Sequence, residues 1–346
     1  MSIIWFILIL GAIVAVHEFG HFIFAKLSNT YVYEFSIGMG KKIFGKKRKD
    51  GETEFCIRAV PLGGYVMIAG EDVEDEAIPK DRQMCNKSFI QRFLVLFAGA
   101  FNNFVFAFLI LFVSALIYGA VSTKPYIGEV NANYPAALAG IEKGDLLVSI
   151  DGKKISSWDR ALVKLQTTNG KEVVFEVKKA NGEIKKYSVS PIKEKDSVGN
   201  ESYKYGIATA YVKEYGFGKS LKYAVNKFAS LFESMWDTIK FLFTGKVGIN
   251  QLSGPVGIYS IIDSQSKEGL EAILYLVAYL SINVGIINLL PFPAFDGGRI
   301  LFLFIEKIFR RPVSKKAENI IHMIGFVLIL MLLVYVTGND IIKLFR

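Results

Sequence analysis

His17-Glu18-Phe19-Gly20-His21 sets two imidazoles four residues apart with a carboxylate beside the first. On an α-helix, positions i and i+4 share a face, so both rings can offer a nitrogen to one Zn2+, with Glu18 next to them as a general base. At average composition a chance match to this pattern turns up in about one chain in a hundred, so its placement carries more weight than its letters. Between Met1 and Phe24, Glu18 is the only Asp, Glu, Lys or Arg. Ionisable groups in so apolar a run typically cost a few kcal/mol each unless they are paired. A bound cation compensates them directly; hydrogen bonds to neighbouring helices are the alternative.

A catalytic zinc takes three protein ligands and keeps one position open for water. The third candidate lies in Asn288-Leu-Leu-Pro-Phe-Pro-Ala-Phe-Asp296-Gly-Gly-Arg299. Two prolines within three residues must break a helix and free backbone polar groups, which at membrane depth are tolerated only beside protein or trapped water. Asp296, the first carboxylate after a long uncharged run, completes a His17, His21, Asp296 set.

These residues need elements that span lipid to hold them. The chain has 346 residues, 52% of them apolar and 14% aromatic, with a mean hydropathy of +0.35, too apolar for an ordinary soluble domain. Four stretches with almost no charge (1–24, 93–123, 272–295 and 319–339) each reach the roughly 20 residues that cross a bilayer. With nothing basic before Lys26, the first is expected to be a retained span rather than a signal peptide. Lys41, Lys42, Lys46, Lys47, Arg48 and Lys49 crowd the first connection, and Arg299, Lys307, Arg310, Arg311, Lys315 and Lys316 the last, which makes both cytoplasmic. The termini and the long segment from about 122 to 270 then lie on the far side. The net charge of +9 suits contact with anionic lipid, and no nucleic-acid motif is present.

Glu54–Ala69 carries strand-like residues on either side of a Pro-Leu-Gly-Gly break and is expected to form a hairpin or bent strand. Residues 217–243 repeat apolar positions at helical spacing among lysines, as an amphipathic helix lying along the outer face would. Cys56 and Cys85 have no metal-type spacing and are read as reduced cytoplasmic thiols. His322 is expected to pack rather than ligate, Gly285 to serve close helix packing, and Trp5, Trp236 and Tyr335 to sit in interfacial belts.

Asn133-Tyr-Pro-Ala-Ala-Leu-Ala-Gly-Ile-Glu-Lys-Gly-Asp145 with Ile150-Asp-Gly-Lys-Lys-Ile155 resembles a circularly permuted bacterial PDZ domain over about 70 residues. HExxH in the first span with NxxPxPxxDG in the third resembles the site-2 protease family of intramembrane metalloproteases. The single PDZ-like segment is similar to its bacterial regulator-of-sigma-E protease group. The likeness extends to Val60-Pro-Leu-Gly-Gly-Tyr-Val66, Gly99-Ala-Phe-Asn-Asn-Phe104 and Leu252-Ser-Gly-Pro-Val-Gly-Ile258, with departures at Phe295, where Leu is usual, and Ala100, where Pro often stands.

The resemblance implies one Zn2+ per chain on His17, His21 and Asp296, Glu18 as base, and Asn288 and Asn283 as active-site asparagines, although Asn283 also fits a helix-joining role. A strand edge through Val60, Leu62, Gly63, Gly64 and Tyr65 would capture the unwound substrate. The expected fold is an α-helical polytopic membrane protein with four transmembrane helices, a membrane-associated β-hairpin and an inserted extracytoplasmic α+β PDZ domain. Its segments are 1–26 (first span), 27–91 (cytoplasmic loop with hairpin), 92–121 (second span), 122–212 (PDZ), 213–267 (amphipathic helix and linker), 268–298 (third span), 299–318 (cytoplasmic amphipathic helix) and 319–346 (fourth span and tail). The expected activity is endoproteolysis of single-span proteins, such as anti-sigma factors or remnant signal peptides, in the cytoplasmic membrane, with membrane lipid as surroundings. The rivals are an ion transporter with a broken helix, a silent PDZ scaffold and a membrane-anchored protease acting in water.

Overall fold

The computed structural model describes residues 2–47, 51–71, 76–168, 170–195, 201–209, 213–249 and 252–344. Arg48 and Lys49 of the basic cluster lie outside the described residues, as does the side chain of Leu62. In chain order the elements begin with α1 (Ser2–Leu27), β1 (Val32–Lys47), β2 (Glu54–Ile68), α2 (Phe89–Tyr118), β3 (Ala120–Val121), β4 (Ile127–Val130), α3 (Pro135–Leu138), β5 (Leu146–Ile150), β6 (Lys153–Lys154) and α4 (Trp158–Gln166). They continue with β7 (Val173–Lys178), β8 (Ile184–Val189), β9 (Ile192–Lys195), β10 (Glu201–Lys204), β11 (Ile207–Thr209), β12 (Lys213–Glu214), α5 (Phe217–Phe243), α6 (Pro255–Lys267), α7 (Leu270–Leu289), α8 (Asp296–Phe309) and α9 (Lys315–Leu344).

Among the described residues, four helices are long and apolar enough to cross a membrane: α1, α2, α7 and most of α9. Only 11% of the apolar window of α9 is buried, and Met323, Phe326, Met331, Val334 and Tyr335 are exposed around it. A helix apolar on every side is stable only in an apolar surrounding, so this is an integral membrane protein. The chain divides into two compact units, residues 1–107 with 259–335 and residues 108–258 with 336–346.

In the first unit, α7 is the most enclosed span. Small residues let backbones close up: a methyl on Gly20 of α1 would stand 2.2 Å from Ala98 O of α2, and one on Gly285 of α7 2.6 Å from the Phe104 ring. The 268–298 segment carries its break at the proline-bearing stretch, as the two prolines require. Helix α7 stops at Leu289, residues 290–295 form an irregular connection with Ala294 at φ +79°, and α8 starts afresh at Asp296. The prolines at 291 and 293 enforce the break.

The Glu54–Ala69 segment runs as one bent strand, β2, and its partner is β1, which the sequence reading did not pick out. Glycines at positive φ (Gly38, Gly40) and a run of lysines hide that strand behind poor β-formers. Register shifts bend both strands, so Glu34–Ile37 lies between Gly64–Met67 on one side and Glu54–Ile57 on the other.

The second unit contains a four-stranded sheet in the order β6-β5-β7-β8 and a separate β4–β11 pair. Ile127, Leu147, Ile150, Val173, Phe175 and Val177 form its buried core with Ala161 of α4. Helix α5 follows, held against α4 by Lys227–Asp159 and Arg160–Asp237 ion pairs.

Candidate metal centre

Both imidazoles of α1 are buried, with His17 7% and His21 9% exposed. Their Nε2 atoms lie 3.2 Å apart. Asp296, the first residue of α8, brings Oδ2 to 3.0 Å from His17 Nε2 and 3.3 Å from His21 Nε2. Among the described residues, that buried oxygen has no hydrogen-bond partner beyond its approach to these nitrogens. Three atoms rich in lone pairs repel one another unless a positive charge lies among them. Ligand atoms held about 2.0 Å from a tetrahedral zinc stand roughly 3.3 Å from each other. The three separations fit that edge, so the donor set suits Zn2+ in chemistry and in spacing.

The break between α7 and α8 aims Asp296. A methyl on Gly297 would come within 2.2 Å of Leu290 O and one on Gly298 within 2.5 Å of Phe292 O, so α8 begins pressed against the end of α7. Gly325 of α9 likewise admits Pro293, whose Cβ lies 2.4 Å from where a side chain would start. Ala294 N donates to His322 Nδ1 at 3.0 Å. His322 thus braces the loop from outside the metal set, in line with the packing role expected of it.

Glu18 sits one residue from His17, and its Cγ is 3.6 Å from the position a Cβ would take on Gly64 of β2. The bent strand therefore passes beside the carboxylate. Val60 is 47% exposed, and Gly63 adopts φ +89° under the Met39 side chain. Tyr65 Oη donates to Glu34 Oε1 at 2.9 Å, and Arg58 donates to the same oxygen at 2.7 Å. Burial alone would raise the Glu34 carboxyl; the bonds from Arg58 and Tyr65 outweigh it and hold the group below the usual range. Glu34, Glu54 and Cys56 also cluster, but Arg58, Tyr65 and Lys42 already occupy the carboxylates, so this group is not a second metal centre.

Asn283 and Asn288 lie on α7, both half-buried. Among the described residues, no hydrogen bond ties either to the His17, His21, Asp296 set, and Asn283 Oδ1 is a buried acceptor with no partner. Sequence reasoning missed two neighbours on α2: Val95 O, 2.8 Å from His21 Nδ1, and Asn103, whose Nδ2 is 3.3 Å from His17 Nδ1. A backbone carbonyl leaves no trace in a sequence. Asn103 did leave one, as a polar residue in the Gly99–Phe104 motif within an apolar run.

A family model described as peptidase family M50 matches residues 5–332. Zinc metalloprotease RasP of Shouchella clausii (strain KSM-K16) is 31% identical over 421 residues, covering 99% of each chain. Two chains named as proposed zinc metalloproteases are also similar. The one from Clostridium perfringens (strain 13 / Type A) is 38% identical over 343 residues, 99% of each chain, and the one from Fusobacterium nucleatum subsp. nucleatum is 37% identical over 360 residues, 100% of each.

Proposed function

The chain belongs to peptidase family M50, and we propose that this zinc metalloendopeptidase cuts the transmembrane segments of single-span proteins at a centre built from His17, His21, Asp296 and Glu18. One observation carries the reading: three potential ligand atoms no more than 3.3 Å apart, on helices of a membrane-embedded unit. Zinc held by His17, His21 and Asp296 would supply Lewis acidity, making a water at the site easier to deprotonate near neutral pH. Glu18, beside the set, takes the proton from the attacking water and passes it to the leaving amine. Asn288, with Asn283 near it in sequence, donates to the substrate backbone or to the developing oxyanion. One such donor is typically worth about 3 kcal/mol.

A helical substrate has its carbonyls bonded internally, so it must unwind before cleavage. In this proposal the Val60–Tyr65 stretch of β2 receives it as an added strand, because Gly64–Met67 pairs with β1 on one side and Gly64 stands beside Glu18. The basic residues in the first and last connections support a cytoplasmic position for these loops and for the catalytic side. The β4–α4–β11 region, with a groove of about 850 Å3 lined by Tyr134, Trp158, Leu162 and Tyr203, then acts outside the cytoplasm as a PDZ-like filter or peptide reader. Substrates of this kind include anti-sigma factors and signal-peptide remnants.

The test compares zinc content and cleavage of a model single-span substrate for the wild type, Glu18→Gln and Val60→Pro. One zinc per chain in all three, with cleavage abolished by Glu18→Gln and reduced by Val60→Pro, supports the proposal. Full cleavage by Glu18→Gln rejects the base, and full cleavage by Val60→Pro rejects the strand.

A further inference from the structure

Helix α2 presents Val95, Gly99 and Asn103 to the two imidazoles, four residues apart like the histidines themselves. Val95 O lies 2.8 Å from His21 Nδ1. A methyl on Gly99 would stand 2.4 Å from His21 Nε2 and 2.8 Å from His17 Nε2, so only glycine lets α2 approach the rings this closely. Asn103 is wholly buried, and its Nδ2 lies 3.3 Å from His17 Nδ1. We infer that this face of α2 is the seat of the metal centre, and that Asn103 is a positioning residue that fixes His17 through its side-chain oxygen. The inference rests on His17 and His21 being zinc ligands through Nε2.

A carbonyl oxygen only accepts, so Val95 O requires a proton on His21 Nδ1 and leaves the Nε2 lone pair facing Asp296. When His17 commits Nε2 in the same way, its Nδ1 must also carry a proton and find an acceptor. Asn103 holds one in place: Oδ1, buried and without a partner among the described residues. A half-turn of the amide exchanges its near-isosteric ends, and Oδ1 then accepts from His17 Nδ1–H with no movement of α2. The residue is well anchored for this, since Ser281 Oγ of α7 donates to its backbone oxygen at 2.9 Å. Asn102 provides a contrast. Its Nδ2 donates to Val16 O at 3.3 Å, which joins two helices without touching an imidazole.

The inference is tested by measuring zinc affinity through chelator competition on the full chain in detergent. The variants are Asn103→Leu, Asn103→Asp, Asn102→Leu and His17→Ala, each with a melting curve to verify folding. Loss of an outer partner of a metal-bound histidine typically weakens metal binding about 10- to 100-fold. That loss is expected for Asn103→Leu. Asn103→Asp, which keeps the acceptor, should stay within about threefold of wild type, and so should Asn102→Leu. The visible spectrum of the Co2+-loaded protein should shift in Asn103→Leu and not in Asn102→Leu. If the leucine variant does not fold, Asn103→Ala takes its place. Wild-type affinity in Asn103→Leu, or an aspartate variant as weak as the leucine one, overturns the inference while the ligand assignment stands. Undiminished zinc binding by His17→Ala removes the ligand assignment itself.

Discussion

His17 Nε2 and Asp296 Oδ2 stand 3.0 Å apart, one on the first helix of the chain and the other at the start of a helix near its far end. Neither side chain would occupy that place cheaply without a shared cation. Asp296→Asn keeps the shape and removes the negative charge of the proposed ligand. Its zinc affinity is expected to fall by more than about tenfold, with the melting temperature of the chelated protein unchanged or raised. Metal analysis beside calorimetry with and without chelator decides it, and an unaltered zinc affinity would show that Asp296 does not ligate.

His322 accepts from Ala294 N in a loop where Ala294 holds φ +79°, a conformation that typically costs a non-glycine residue about 1–3 kcal/mol. His322→Leu removes the brace and is expected to lower both the melting temperature and zinc affinity. Adding Ala294→Gly relieves the strain and should restore part of each. A double variant no better than His322→Leu alone would argue against this coupling.

Asp340, near the end of α9, is 5% exposed and accepts from Gly254 N at 2.7 Å and Gly257 N at 2.8 Å at the start of α6. Both amides belong to the Leu252–Ile258 motif, and methyls at either glycine would meet the carboxylate at about 3 Å. Asp340→Ala strands two donors at a helix N-terminus, at a cost of about 2–4 kcal/mol. Faster proteolysis around residues 252–258 is the expected sign. Asp340→Asn, which retains one acceptor, should fall between the two.

Cys56 is buried in the bent sheet, and burial, with Glu34 beside it, pushes its thiol up to about 11. At pH 8 the thiolate fraction is then about one in a thousand, against about a quarter for an ordinary thiol. In a Cys85→Ser background, alkylation of the folded protein at pH 8 should run at least about 100-fold slower than after denaturation. The rate should rise about tenfold per pH unit up to the thiol pKa. Alkylation as fast as in the denatured chain would show that the sheet does not enclose Cys56.

Much of the site was readable because each signal was local. The i, i+4 spacing of His17 and His21, the uncharged runs and the proline-broken segment before Asp296 each report on a few consecutive residues and the medium around them. The α5 helix was legible for the same reason, its stripe recurring from Phe217 to Phe243. What was not readable is long-range. Strand β1 exists through its pairing with β2 and not through its own propensity, and the bend that sets Gly64 beside Glu18 comes from register shifts in that pairing. Asn103 differed from Asn102 in sequence by nothing that tells which of them faces His17.

The sequence by itself determined that the chain spans lipid, that it carries a zinc-type donor set, and which loop must break, since hydropathy, helical periodicity and proline geometry act over short stretches. Tertiary structure decided that the donors from α1 and α8 meet within 3.3 Å, that α2 seats their imidazoles, and that His322 braces the loop behind Asp296. Those relations depend on how closely whole helices approach, which glycines such as Gly20, Gly99, Gly285 and Gly297 permit but do not specify until their partners are in place.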